Sequence, residues 1–167
     1  MRGSVIAATL GVATMLMTAC SDRASDAVDD VTFTASDGSS ASVADFSGLP
    51  LVVNMWATNC VPCVKEMPAF DQVANEIADT IQIIGVNVFD TPEDAAAFAA
   101  DLGVGYPQFT DPDGALSSAL LVTGLPATGF FDARGNLLEV HQGAFTADEL
   151  RAAIAEYFPI EPTGATT

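Results

Sequence analysis

The chain has 167 residues, half of them hydrophobic and only 16% charged, which is enough for one ordinary domain and excludes two large ones. Lys and Arg total 5 against 22 Asp and Glu, so Coulomb repulsion argues against nucleic acid and anionic lipid headgroups as partners. Ten Phe and many apolar runs supply enough surface to offset chain entropy, so a folded core is expected rather than disorder.

Arg2 is the only charge ahead of Asp22, and between them lie the apolar runs Val5–Leu10 and Met15–Met17. A stretch this short and rich in small residues does not span a membrane comfortably and reads as an export signal over residues 1–19. It ends in Met17-Thr18-Ala19-Cys20, which resembles the lipobox of bacterial lipoproteins, with Met17 where Leu is usual. That resemblance implies cleavage before Cys20 and lipidation of Cys20; an uncleaved anchor with an incidental cysteine is the alternative. Residues 20–30, with Asp22, Asp26, Asp29 and Asp30, follow as a solvated acidic tether. Export brings oxidising conditions, so Cys60 and Cys63 form either a structural disulfide or a redox tool.

One domain is expected over residues 31–158, with 159–167 as a tail. Val31–Thr34 and Ala41–Val43 alternate like strands around the turn Ser36-Asp37-Gly38-Ser39, which predicts a leading hairpin. Leu51–Trp56 is almost wholly apolar, as in a strand buried on both faces of a sheet. Val64, Met67, Phe70, Ala74 and Ile77 mark an amphipathic helix that Pro68 should kink. Ile81–Phe89 is the next buried strand and completes a βαβ unit. Thr91-Pro92 opens a further helix that carries Phe98 and Leu102 and ends at Gly103. Asp111-Pro-Asp-Gly114 opens another, with Leu116 and Leu120. Thr128–Phe131 and Leu137–Val140 form an antiparallel hairpin, and Thr146 with Glu149 makes a capping box for a last helix that buries Leu150, Ala153, Ile154, Tyr157 and Phe158. This order gives an α/β domain with a mixed central sheet flanked by helices.

The segment Trp56-Ala-Thr-Asn-Cys60-Val-Pro-Cys63 follows a buried strand and opens a helix. Unpaired backbone N–H groups and the positive dipole end at a helix N-terminus stabilise a thiolate, so Cys60 is expected to be the exposed attacking thiol. Cys63, one turn further, lies within disulfide reach and suits a resolving role. A zinc site would need two more ligands, and besides Cys20 only His141 is to hand among Cys and His, so no metal is expected. A purely structural disulfide closing so small a loop constrains the unfolded chain weakly. A peroxidase would want a cation beside its thiolate, yet the only Arg residues after the tether are Arg134 and Arg151.

From about Val31 to Phe158 the chain resembles the TlpA/ResA-type thiol:disulfide oxidoreductases of the thioredoxin superfamily. The likeness rests on Val53-Asn-Met-Trp-Ala-Thr-Asn-Cys-Val-Pro-Cys-Val-Lys-Glu-Met-Pro68, the leading hairpin, the extra helix inserted after Phe89, and Gly124-Leu125-Pro126 before a strand. It implies a thioredoxin-like fold, a cis Pro126 packed against the disulfide, and Leu125 pairing with substrate backbone. Trp56, Val61, Pro62, Leu125 and Pro126 are then the substrate-binding residues, and Cys60 and Cys63 the catalytic ones. No organic cofactor is needed. Partners are secreted or membrane-exposed protein thiols and disulfides and a membrane dithiol electron donor. The implied place is the extracytoplasmic face of the cell membrane, and the activity is disulfide reduction, in cytochrome c maturation or more generally. A disulfide-forming oxidase is the alternative; a copper metallochaperone fits less well, because the chain lacks a CxxxC with a nearby His.

Asn54 stands where many thioredoxins carry a buried Asp, Ala127 replaces a frequent Thr, and Asn59 replaces a frequent Trp. Glu66 could relay a proton, but a solvated carboxylate on the helix face is the expected reading. His141 is expected at the surface beyond its strand, and Trp56 beside the site or in plain core.

Overall fold

A computed structural model describes Val28 and residues 30–159. The export signal, Cys20 and nearly all of the tether and tail lie outside the described residues. The leading strands are β1 (Thr32–Ala35) and β2 (Ser40–Ser42), followed by a short 3₁₀ turn, β3 (Leu51–Trp56) and helix α1 (Val61–Ile77). Next come β4 (Gln82–Val88), α2 (Pro92–Leu102), β5 (Gln108–Asp111) and the short α3 (Ala115–Ala119). The chain closes with β6 (Ala127–Phe131), β7 (Leu137–Gln142) and α4 (Ala147–Tyr157).

All seven strands form one mixed sheet in the order β2-β1-β5-β4-β3-β6-β7. β3 pairs parallel with β4 and antiparallel with β6, and each of its six residues is buried, as its apolar run requires. One face of the sheet packs Val52, Ile83 and Phe130 against Phe70 and Val73 of α1 and Leu150 and Ile154 of α4. The other packs Leu51, Val53, Met55, Val86 and Phe131 against Leu116 and Leu120. Thr146 accepts from the Glu149 N–H while Glu149 reaches back to the Thr146 N–H, so the expected capping box is formed.

Several expectations shift. β5 has no counterpart in the sequence reading: its four residues, which follow Pro107 and end on the first Asp of an Asp-Pro-Asp-Gly turn, are too few to show a period, and pairing on both sides makes the strand. The leading hairpin is therefore not free, because β1 pairs with β5. The core begins at Val28, 1% exposed, inside the segment expected to be tether. α1 runs continuously through Pro68 and turns Cys63, Glu66, Met67, Phe70 and Val73 inward, whereas Val64, Ala74 and Ile77 are half-buried. Ala95 and Ala99 are the buried residues of α2, with Phe98 and Leu102 packed at its side. β7 reaches Gln142, so His141 lies within the strand, where its ring stacks 4.1 Å from that of Phe145.

Candidate active site

The site lies at the end of the sheet to which β3 and β4 run. β3 ends at Trp56 and the chain turns through Thr58 to Cys60, which caps α1. Cys60 and Cys63 are joined by a disulfide. Cys60 is half-buried and its Sγ accepts the Cys63 N–H at 3.3 Å, whereas Cys63 is completely buried. The sulfur that meets solvent is thus the one at the helix N-terminus, where backbone N–H groups favour a thiolate.

A carboxylate positions the turn ahead of Cys60. Asp90, just beyond β4, accepts from the Thr58 N–H at 2.8 Å, the Thr58 hydroxyl at 2.9 Å and Asn87 Nδ2 at 2.8 Å. Burial pushes its pKa up, but these donors outweigh it and hold Asp90 below the usual carboxylate range. Asp90 was not foreseen, because Thr91-Pro92 beside it reads as a helix start and nothing local ties it to a turn 32 residues earlier.

Under the cysteines sits a buried polar layer. Glu66, expected as a solvated carboxylate, is 2% exposed: as the residue one turn after Cys63 it faces the sheet rather than water. Asn54 Nδ2 donates to Glu66 Oε1 at 2.7 Å and the Phe145 N–H donates to Oε2 at 2.9 Å. The Tyr106 hydroxyl donates to Asn54 Oδ1 at 3.0 Å. Desolvation dominates over the two donors and raises the Glu66 pKa to about 7; burial pushes Tyr106 up as well, so its hydroxyl stays a donor. Asn54 therefore does not replace a carboxylate beneath the cysteines so much as bind one that arrives from α1.

Trp56 is fully buried in a cluster with Cys63, Met67, Ala95 and Ala99, and stacks 5.9 Å from Phe98. It cannot touch substrate, which corrects its expected binding role; it backs the cysteines. Its Nε1 donates to Gln108 Oε1 at 3.0 Å. Gln108 reaches it by crossing β4 at Gly85, where any Cβ would collide with the Gln108 amide.

Val61 and Pro62 are exposed at the first turn of α1. The Leu125–Pro126 peptide is cis. Leu125 packs on the cluster that holds Cys60, Cys63 and Trp56, and Pro126 is buried, its carbonyl accepting from the Gly143 N–H at 3.0 Å. Among the described residues the guanidiniums lie elsewhere: Arg134 faces Asp132, and Arg151 is held by Glu76 and Asp148.

The model of the AhpC/TSA family matches residues 24–140. Thioredoxin-like protein YneN of Bacillus subtilis is 30% identical over 68% of this chain and 68% of its own length. Thiol-disulfide oxidoreductase ResA of Oceanobacillus iheyensis is 27% identical over 74% of this chain and 65% of its own, so the match spans about two thirds of such relatives. The solved structure of a putative thiol:disulfide interchange protein DsbE from Chlorobium tepidum superposes with a TM-score of 0.70 at 26% identity, over 78% of this chain and 94% of that one.

Proposed function

The chain belongs to the AhpC/TSA family and is a thioredoxin-superfamily oxidoreductase, and from that premise we propose that it reduces protein disulfides outside the cytoplasm, held to the membrane by lipid on Cys20. The single observation that carries the chemistry is the asymmetry of the pair: a half-buried Cys60 at the cap of α1 bonded to a fully buried Cys63.

In the reduced protein the Cys60 thiolate attacks one sulfur of a substrate disulfide. That bond breaks, a mixed disulfide with Cys60 forms, and the first substrate thiolate leaves. The Cys63 thiolate then attacks Cys60 Sγ and releases the second substrate thiolate. Two electrons have passed to the substrate, and the Cys60–Cys63 disulfide is restored. Cys63 must first lose a proton in a dry environment. Glu66, one turn along the same helix with its pKa near 7, is a base of matched strength for that step, and Asn54 and the Phe145 amide hold both of its oxygens. No flavin or nucleotide motif is visible in the sequence, so we assign regeneration to a membrane dithiol donor. The substrates on this reading are secreted or membrane-exposed proteins, cytochrome c maturation among them.

Val61 and Pro62, exposed next to Cys60 in the chain, and Leu125, packed on the cysteine cluster, with the adjoining Pro126, are proposed as substrate contacts. A Cys63→Ala variant should trap partners as mixed disulfides on Cys60. Trapped extracytoplasmic proteins, together with lipid mass on Cys20 of the mature chain, are the expected result. Capture of cytoplasmic proteins alone, or an unmodified mature N-terminus, would remove that part of the reading.

A further inference from the structure

A buried base needs a way to exchange its proton with water. Glu66 is 2% exposed, and both of its oxygens are taken, Oε1 by Asn54 Nδ2 at 2.7 Å and Oε2 by the Phe145 N–H at 2.9 Å. With a pKa near 7 it is part-protonated at neutral pH and must shed that proton before it can accept one from Cys63. Neither amide passes a proton on. Tyr106, the next group beyond Asn54, is itself buried and donates to that same amide.

The register of the sheet supplies another neighbour. Asn54 of β3 pairs directly with Thr128 of β6, and Thr128 pairs directly with His141 of β7. Residues so opposed share a face, with Cβ atoms about 4.5–5.5 Å apart. That face is the one under α1 and α4, since Val52 and Phe130, two residues from Asn54 and Thr128, pack with Phe70 and Leu150. Thr128 is fully buried, and its Oγ has no hydrogen-bond partner among the described residues. A hydroxyl left in that state is costly to keep, and this one stands between the amide that holds Glu66 and the one histidine of the chain. The His141 ring stacks 4.1 Å from that of Phe145, whose N–H holds the other Glu66 oxygen. Contacts and register thus close a circuit through Glu66, Asn54, Thr128, His141 and Phe145, and of these His141 alone, on the edge strand, is not buried. The ionisable groups around its ring are Glu149 of α4, held low by the Thr146 N–H and hydroxyl and then by His141, and Glu139, two residues back on β7. Both are exposed, so a proton on the ring leaves into solvent and not into a second buried site.

Resting on the reading of Glu66 as the base for Cys63, we infer that Thr128 and His141 are the proton exit of the active site. The Thr128 hydroxyl takes the proton from Glu66, directly or across one water, as it passes its own to the neutral His141 imidazole, which gives it up to solvent. Atoms and charge balance: the Cys63 thiol loses one proton, Glu66 gains and loses it, the hydroxyl ends unchanged, and water receives it, with no electrons moved. When the disulfide is reduced again, the path runs inward and refills Glu66 as Cys63 takes its proton back. Both residues act through Glu66.

The test follows proton exchange at Glu66 in the oxidised protein, carbon-13 labelled at the glutamate carboxyls, by relaxation dispersion of the Glu66 signal near pH 7, the signal being assigned by its loss in Glu66→Gln. Thr128→Val deletes the hydroxyl at nearly constant volume and should slow exchange about tenfold or more, yet leave stability equal or higher because that hydroxyl is unpartnered. Thr128→Ser keeps the hydroxyl and loses a methyl, so exchange should stay within about twofold while the denaturant midpoint falls. His141→Phe keeps a ring against Phe145 and should slow exchange as Thr128→Val does, with free imidazole restoring it in proportion to concentration. Should Thr128→Val fail to fold, His141→Phe, on the edge strand, carries the same prediction. Unchanged exchange in Thr128→Val or His141→Phe, a slowing that Thr128→Ser shares, or one in His141→Phe that imidazole does not relieve, overturns the exit. The base itself is read separately: Ellman's reagent, added to the reduced protein, releases one thiolate as Cys60 attacks and a second as Cys63 resolves. A second phase that Glu66→Gln leaves unaltered removes Glu66 as the base instead.

Discussion

The Asn54 side-chain amide donates across 2.7 Å to the carboxylate of Glu66 in a layer closed to solvent, one turn of helix below Cys63. Its partner Tyr106 can donate or accept, so the Asn54 amide can turn over and serve either an acid or an amide at position 66.

That freedom makes Glu66→Gln a clean probe. The folded pKa of about 7 lies above the ordinary 4.5, so between those values the folded protein holds a proton that the unfolded chain has released. Stability from this group is present below about 4.5, falls as pH rises to about 7, and is flat beyond; the full loss is up to about 3 kcal/mol. Glu66→Gln should flatten that slope and be more stable than the unaltered protein at pH 8. Denaturant midpoints taken from pH 4 to 8 decide it, and an unaltered slope removes the buried-carboxylate account. The same variant should slow release of the mixed disulfide more than its formation.

How much of this was legible differs from element to element. β3 and β4 are legible as continuous apolar runs and α1 and α4 as amphipathic stripes, with a capping box on α4, and the strand-CxxC-helix context predicts both cysteines at the start of α1. Glu66 departs from expectation because the stripe Val64, Met67, Phe70, Ala74 and Ile77 is turned slightly from the face that packs, Cys63, Glu66, Met67, Phe70 and Val73, and that small rotation moves position 66 from water to core. The Asp90–Thr58 and Gln108–Trp56 pairs join residues 32 and 52 apart, and no local pattern encodes such meetings. Trp56, expected either beside the site or in plain core, packs against Cys63 on the dry side, since proximity to a cysteine in sequence does not say which face of the strand it shares.

The cysteines should differ sharply toward an alkylating reagent. Cys60 is half-buried at a helix cap and Cys63 has no exposed surface. In the reduced protein near neutral pH, iodoacetamide should modify Cys60 at least about tenfold faster, as peptide mass mapping over time would read. Equal rates or the reverse order would assign the attacking role to the wrong residue.

Gly85 should tolerate no side chain while Gln108 stays in place. Gly85→Ala drives the Gln108 amide away and leaves the buried Trp56 Nε1 without an acceptor, a loss of about 1–3 kcal/mol. Gln108→Ala strands the same nitrogen but removes the collision, so the two substitutions overlap. Their combined cost should fall short of the sum by about 1 kcal/mol or more in a double-mutant cycle. Strict additivity would mean that Gln108 does not cross at Gly85 in solution.

Direction of electron flow follows from what surrounds Cys60. A strong oxidant stabilises its reduced form by giving the attacking thiolate cations and donors; a protein that withholds them stays reducing. Here Cys60 Sγ accepts one amide, that of Cys63 at 3.3 Å, and Pro62 has no N–H to offer a second. Val61 is uncharged, Lys65 is fully at the surface, and the net charge of −17 adds a weak, salt-screened bias against another anion. The reduction potential is therefore expected nearer the roughly −270 mV of thioredoxin than the roughly −120 mV of strong periplasmic oxidants. Val61→Lys, placing a cation next to Cys60, should raise it by about 10–20 mV at low salt and less at high salt, the size expected of an exposed charge pair. Equilibration against glutathione buffers measures both. A value above about −180 mV, where isomerase-type proteins lie, would reverse the assigned direction and make the chain a donor of disulfides.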